Sequence, residues 1–295
     1  MQKSGSIKGK LLLLFIAVAW GSSMVVIKGS TDFIPPGMLL ALRFTIASVI
    51  LALIYRKQLK LIDYIKAGIF IGVCLFCAYF TQTIGVMLEM PGKSHFLSSA
   101  YCVFVPFIGW IVLREKPKMY HIVAATMCAV GIIFVSVAGT FSISFGDSIS
   151  ILSSLFWAAQ IIAIAKWGKD KDPGIITMLQ FIVSAVLAWG FTLTQEHLGK
   201  VQINGEVIFG VLYLGIVCSG LCFLFQSPTS VSIILSFENI FGIVFGMVFF
   251  NETMTVNKAI GFVLMFAAIL IAELQPNFLK SKADKAREAQ EEQTA

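Results

Sequence analysis

The sequence predicts an all-α integral membrane protein: ten transmembrane helices arranged as two inverted five-helix repeats. Three observations carry that reading. Of the 295 residues 58% are hydrophobic and only 13% are charged, with a mean hydropathy of +0.88, a balance foreign to soluble domains. Ten apolar stretches reach, or nearly reach, the roughly 17 to 25 residues a helix needs to cross about 30 Å of hydrocarbon. The chain also matches itself at a shift of 137: Gly9, Trp20, Ile27, Pro36, Gly37, Leu42, Phe44, Pro91, Ser99 and Glu115 meet identical residues at Gly146, Trp157, Ile164, Pro173, Gly174, Leu179, Phe181, Pro228, Ser236 and Glu252. Five crossings per copy is an odd number, so the second copy must run upside down relative to the first.

The stretches are 11–28, 36–55, 65–87, 94–113, 120–137, 148–165, 175–194, 207–226, 230–250 and 255–274. They divide the chain into a cytosolic N-terminus (1–10), a first repeat (11–137), a second repeat (138–275) and a polar cytosolic tail (276–295). Lys8 and Lys10 ahead of helix 1, with Ala17-Val18-Ala19 inside it, imitate a secretory signal. The apolar run continues past that triplet and Trp20 has its repeat partner Trp157, so the helix is expected to be retained.

The basic residues sort by side. An N-inside topology puts Lys3, Lys8, Lys10, Arg56, Lys57, Lys60, Lys66, Arg114, Lys116, Lys118, Lys166, Lys169, Lys171, Lys280, Lys282, Lys285 and Arg287 in the cytosol, and leaves only Lys28, Lys93, Lys200 and Lys258 outside. The positive-inside rule therefore sets both termini in the cytosol, and a bacterial cytoplasmic membrane is the expected location. The net charge of +6 is scattered over alternate loops, which excludes a nucleic-acid patch. A solvated or lipid-facing role is the default for each basic residue.

Enzyme and cofactor signatures are missing. The sequence has no Walker loop, G-x-S-x-G or H-E-x-x-H. Cys74 and Cys77 form a C-x-x-C on one span without a nearby histidine or acid, and His95, His121 and His197 form no ligand set. No metal, no cofactor and no catalytic residue is expected. Inverted repeats of this kind are characteristic of secondary transporters.

Polar residues inside the spans carry the remaining information, because each must face protein or water. In helix 9 Glu238, Gly242 and Gly246 share one face, so Glu238 points inward beside a G-x-x-x-G contact. Glu238 serves either as a proton carrier or counter-charge, or as a carboxyl hydrogen-bonded across a helix contact. Arg43 in helix 2 matches Gln180 in helix 7; the arginine either holds a substrate carboxylate or snorkels to the interface. Ser153, Trp157 and Gln160 line one face of helix 6 and Trp20 and Ser23 answer on helix 1, as a mixed cavity lining or as ordinary helix packing. Ser94, Ser98 and Tyr101 form a third stripe on helix 4, ahead of Pro106, which is expected to bend that helix. Tyr79, Gln82 and Asn239 complete the candidates.

These residues carry a resemblance. Trp20-Gly21-Ser22-Ser23 ending at Lys28, Leu42-Arg43-Phe44, Ser227-Pro228-Thr229, Ser232-Ile233-Ile234-Leu235-Ser236, Glu238, and the acidic turns Arg114-Glu115 and Asn251-Glu252 resemble the EamA-type members of the drug/metabolite transporter superfamily over residues 8–275. The resemblance implies ten helices in two inverted repeats around a central cavity, moving small organic metabolites such as amino acids, often outward, as a monomer or homodimer. Two departures stand out. Asn239 follows Glu238 where the family commonly has proline. Only two positions separate Gln226 from Pro228, against nine from Gln82 to Pro91, so the turn between helices 8 and 9 is unusually short. A non-transporting membrane scaffold or regulator is the alternative that this shortened turn leaves open.

Overall fold

The computed structural model describes residues 7–56, 62–136, 143–225 and 236–274. The segments 227–229 and 232–235, the turn that follows Gln226 and the polar tail lie outside those residues. The described residues are helical, with no strand among them. In order they form α1 (Ile7–Thr31), α2 (Pro36–Tyr55), α3 (Ile62–Leu88), α4 (Pro91–Ser98), α5 (Tyr101–Leu113), α6 (Met119–Ser136), α7 (Phe145–Trp167) and α8 (Pro173–Gln195). Then come α9 (Gly205–Leu212), a π-helical stretch (Tyr213–Leu221), α10 (Cys222–Phe225), α11 (Glu238–Phe250) and α12 (Val256–Leu274). Among the described residues nine helical spans are long and apolar enough to cross a membrane, with α4–α5 and α9–α10 each counting as one, and α11 is a shorter apolar helix.

The packing scheme maps onto itself when the repeats are exchanged. α3 lies on α7 as α9 to α10 lie on α1; α3 meets α8 as the π-helical stretch meets α2; α4 and α5 meet α7 as α11 meets α1; and α2–α8 and α6–α12 are self-paired. Backbone detail repeats as well. Pro36 and Pro173 both open a helix at its first turn, where a missing N–H costs nothing. Ala100 (φ −61°, ψ −6°) precedes α5 as Phe237 (φ −66°, ψ −14°) precedes α11. Arg114 (φ 63°) and Asn251 (φ 50°) end those two helices in the left-handed conformation, the usual way a helix is stopped. α6 and α12 approach most closely at a glycine pair: a Cβ on Gly131 would stand 2.9 Å from the Gly261 carbonyl oxygen, and one on Gly261 2.7 Å from that of Gly131. Bare backbone is what lets those two helices touch.

Two spans differ from the sequence expectation. The fourth is broken at Ser99–Ala100, upstream of Pro106, which stays inside α5. The backbone tightens there to three-residue bonds, Ser99 N–H to the Phe96 carbonyl (3.1 Å) and Ala100 N–H to that of Leu97 (3.3 Å), and the Ser99 hydroxyl is held by Asn239 of the other repeat. The eighth span is widened into π-helix over nine residues, a form concentrated at functional sites.

Candidate functional site

Six rings cross the middle of the bundle in one unbroken chain: Trp20, Phe223, Phe181, Phe44, Tyr79 and Trp157, with successive centroids 5.5, 5.1, 5.7, 5.3 and 4.7 Å apart. The chain is its own mirror under repeat exchange. Trp20 and Trp157 are partners at a shift of 137, Phe44 and Phe181 likewise, and Tyr79 and Phe223 at the shift of 144 that also relates Cys74 to Cys218. Tilted and edge-on contacts of this spacing suit aromatic quadrupoles. The fully buried Phe44–Phe181 pair marks the pseudo-two-fold centre.

Polarity breaks that symmetry. On the first-repeat side the chain carries the Tyr79 hydroxyl and, beside it, Arg43; the equivalents on the other side are Phe223 and Gln180. Arg43 is 1% exposed, so it does not snorkel: only seven residues of α2 lie on its N-terminal side, yet its side chain turns into the bundle where α2, α3 and the π-helical stretch meet. Its Nε donates to the Ser219 hydroxyl (2.6 Å), its Nη2 makes a long contact to the Tyr79 hydroxyl (3.3 Å), and its guanidinium carbon stands 4.4 Å from the centroid of the Tyr79 ring. Nη1 has no hydrogen-bond partner among the described residues.

Gln180, at the matching depth, is satisfied. Its side-chain oxygen accepts from Gln160 Nε2 at 3.0 Å, both residues being buried. Ser23, the repeat equivalent of Gln160, is buried and donates instead to the Trp20 carbonyl of its own helix (2.6 Å). The hydroxyl that reaches across is Ser22, 2.7 Å from the Tyr213 hydroxyl. Trp20 donates from its indole to the Cys218 carbonyl (3.0 Å) in the π-helical stretch. Gln82 is buried with its oxygen unpartnered among the described residues.

The serine stripe of the fourth span is a helix contact: Ser94 meets Ser150 (2.9 Å) and Ser98 accepts from Ser153 (2.8 Å) on α7. Beyond it the two repeats are joined at the starts of α5 and α11. Ser99 donates to Asn239, and Asn239 Nδ2 donates to the Ser236 carbonyl (3.2 Å). Glu238 is buried there, at the repeat equivalent of Tyr101, and within electrostatic reach of Tyr101, Tyr79 and Glu273. Ser236 donates to Glu273 Oε2 (2.9 Å). The buried His95 ring lies against Gly242, beside the Glu238 carbonyl.

One end of the bundle is ionic, which corrects the expectation that its lysines are solvated. Lys93 Nζ stands 2.7 Å from Asp147 and 3.3 Å from Glu89, while Ser144 donates to Glu89. Lys28 donates to the carbonyls of Met87 (2.9 Å) and Glu89 (2.8 Å). Glu252 accepts from the N–H groups of Gly92 (2.9 Å) and Lys93 (3.1 Å), the first turn of α4, and pairs with Lys258 (3.6 Å). Glu196 performs the same service for α2, accepting from Gly37 (2.7 Å) and Met38 (3.0 Å). Both are carboxylates from a distant loop seated on a Pro-Gly helix start, where exposed donors and the dipole favour an anion. Burial pushes the Glu252 carboxyl above its ordinary range, with Lys258 and the two N–H groups pulling it back. A cleft of about 150 Å³ between α2 and α9, lined by Met38, Leu42, Val207, Val211 and other apolar side chains, lies apart from the polar groups.

The structure thus gathers Arg43, Tyr79 and Trp157 in one place, Gln160 and Gln180 in a second, and Tyr101, Glu238 and Asn239 in a third, and it leaves Ser23 out. Sequence reasoning missed Ser219, Phe181, Phe223 and Glu273. The two aromatics were legible in the repeat shifts; Ser219, one small residue in a glycine-rich span, left no signal.

Comparison with known proteins agrees with this architecture. A solved crystal structure superposes with a TM-score of 0.66 at 18% identity, covering 94% of this chain and 100% of the other. An uncharacterized transporter of Archaeoglobus fulgidus is 28% identical over 274 residues, 89% of this chain and 85% of its own length. A probable amino-acid metabolite efflux pump of Salmonella typhimurium is 23% identical over 236 residues, 72% of this chain and 74% of its own. The profile of the EamA-like transporter family matches twice, at residues 7–137 and 144–274, once for each repeat. The chain is therefore a multi-pass membrane transporter of the EamA-like transporter family.

Proposed function

We propose that this transporter is a secondary active exporter of small organic metabolites, amino acids among them, working by alternating access between two inverted five-helix repeats. In this reading the chain crosses the membrane ten times, the repeats span 11–137 and 138–275, and both termini face the cytosol of a bacterial cytoplasmic membrane. The carrying observation is a polar layer contributed by both repeats at the starts of α5 and α11: Ser99 against Asn239, both buried, with the partly buried Tyr101 and the buried Glu238 at equivalent positions. Interrupted helices at a repeat interface are where such transporters hold their cargo. The name of the Salmonella relative supports the substrate class and the outward direction.

The ionic end gives the cycle a gate. With the N-terminus inside, Lys28, Lys93, Asp147, Glu252 and Lys258 all face outward, and their contacts close that side across α1, α3, α4, α7 and the α11–α12 turn. Outward opening has to break them. Glu238 carries the coupling. The test is efflux of radiolabelled amino acids from proteoliposomes under an imposed pH gradient: wild type moves at least one, and Glu238→Gln loses the pH dependence. Transport and pH profile both unchanged in that variant would remove Glu238 from the mechanism.

A further inference from the structure

We infer that Arg43 anchors the carboxylate of the substrate, presenting its Nη1 and Nη2 edge to an organic acid whose apolar body lies along Tyr79 and Trp157. The inference rests on the transport reading above and narrows it to a substrate class. A guanidinium cannot shed its charge inside a protein, and a buried charge is ordinarily paired because leaving it unpaired is costly. Arg43 is 1% exposed, yet no carboxylate stands within ion-pairing distance of it among the described residues, and residues 226–235 contain no acid. The Tyr79 ring 4.4 Å away and the Ser219 hydroxyl recover part of the cost, and among the described residues no anion answers the charge.

The pseudo-symmetry shows what a purely structural group at this depth looks like. At the equivalent position Gln180 is neutral and bonded to Gln160. The equivalent of Gln160 on the arginine side is Ser23, whose hydroxyl already serves the Trp20 carbonyl. One half of a symmetric scaffold has therefore kept a cation without a carboxylate partner among the described residues. Ser219 grips Nε at 2.6 Å and fixes the plane of the fork. Of the terminal nitrogens, Nη2 makes one long contact to Tyr79 (3.3 Å) and Nη1 has no hydrogen-bond partner among the described residues. A carboxylate taking both terminal nitrogens would make the paired, charge-assisted contact that guanidinium geometry favours. Aromatic walls with few convergent polar groups suit an apolar or aromatic body.

The experiment is thermal unfolding of the detergent-purified full chain with four probes of one shape: L-phenylalanine, 3-phenylpropionate, phenylalaninamide and 2-phenylethylamine, plus inorganic phosphate. A ligand that binds only the folded state raises the melting temperature. The two carboxylates are expected to raise it by roughly 5 °C at saturation, the amide and amine not at all. Arg43→Gln abolishes the shift. Ser219→Ala, which keeps the charge and frees its aim, reduces the affinity about tenfold and keeps the protein folded should Arg43→Gln destabilise it. Equal shifts from amide and acid, a shift by phosphate as large as by the acids, a flat panel with folded wild type, or an undiminished shift in both variants would each overturn the carboxylate anchor. Proteoliposome counterflow separates the two levels: transport of amines with an intact rate in Arg43→Gln sinks the anchor and leaves the transporter reading standing, whereas no counterflow of any amino acid or amine by wild type counts against the transport reading itself.

Discussion

The ammonium of Lys93 stands 2.7 Å from a carboxylate oxygen of Asp147, whose side chain is withdrawn from solvent altogether. The pair ties the start of α4 to the start of α7, across the mouth of the bundle. Removing Asp147 leaves Lys93 only its longer contact to Glu89 (3.3 Å), at a cost of up to about 3 kcal/mol. Asp147→Asn is therefore expected to lower the stability of the closed form by that order. Ser150 lies one turn below, fully buried. A cysteine placed there, in a background without the native cysteines, is expected to react at least roughly tenfold faster with an impermeant maleimide added from outside when Asp147 is replaced. An unchanged labelling rate would show that this end is not a gate.

Glu252 gives a dependence on pH with a definite sign. Its carboxyl titrates above the ordinary 4.5 because burial outweighs Lys258 and the Gly92 and Lys93 N–H groups. A carboxyl raised in the folded state favours folding below its unfolded value and withdraws that contribution as pH rises through its folded value. The melting temperature of wild type relative to Glu252→Gln is thus expected to fall with rising pH from about 4.5 upward and then level off. A difference that rises with pH would mean that the ionised cap is the favoured form.

Gly21 shows how closely α1 and α11 are pressed together. A Cβ there would meet the Phe241 Cβ at 2.6 Å and the Glu238 carbonyl oxygen at 2.7 Å, whereas one on Gly190 meets nothing within 4 Å. Gly21→Ala is expected to destabilise by ~1–3 kcal/mol through forced displacement of α11, and to slow transport because Glu238 moves with it. Gly190→Ala should be neutral or stabilising by up to about 1 kcal/mol. Equal melting temperatures for the two variants would contradict the packing.

Topology is open to a direct reading. An even number of crossings with the N-terminus inside returns the C-terminus to the cytosol, so a fluorescent protein fused after Ala295 is expected to be bright and an alkaline phosphatase fused there inactive. The reverse result would leave α11 short of a full crossing.

The sequence alone determined the class, the repeat and most of the element boundaries. Long apolar runs, self-similarity at 137 and lysines on alternate loops are one-dimensional patterns, and the bilayer imposes helix wherever they occur. Glu238, Arg43, Trp20 and Trp157 stood out for the same reason: polar or bulky groups are conspicuous against hydrocarbon. What each one touches was decided only by the tertiary structure. Whether Arg43 snorkels or turns inward depends on α2 packing against α3 and the π-helical stretch, and its partner Ser219 lies 176 positions away. The serines of the fourth span face α7 because of a crossing geometry that no local pattern encodes, and the break at Ser99 follows from a hydroxyl held by Asn239, 140 positions on. Lys28, Lys93 and Lys258, counted as outer charges, meet at one ionic end because the turns around them converge there. Side-chain type is a local property, but pairing depends on which helices become neighbours, and that is fixed by the packing of the whole bundle.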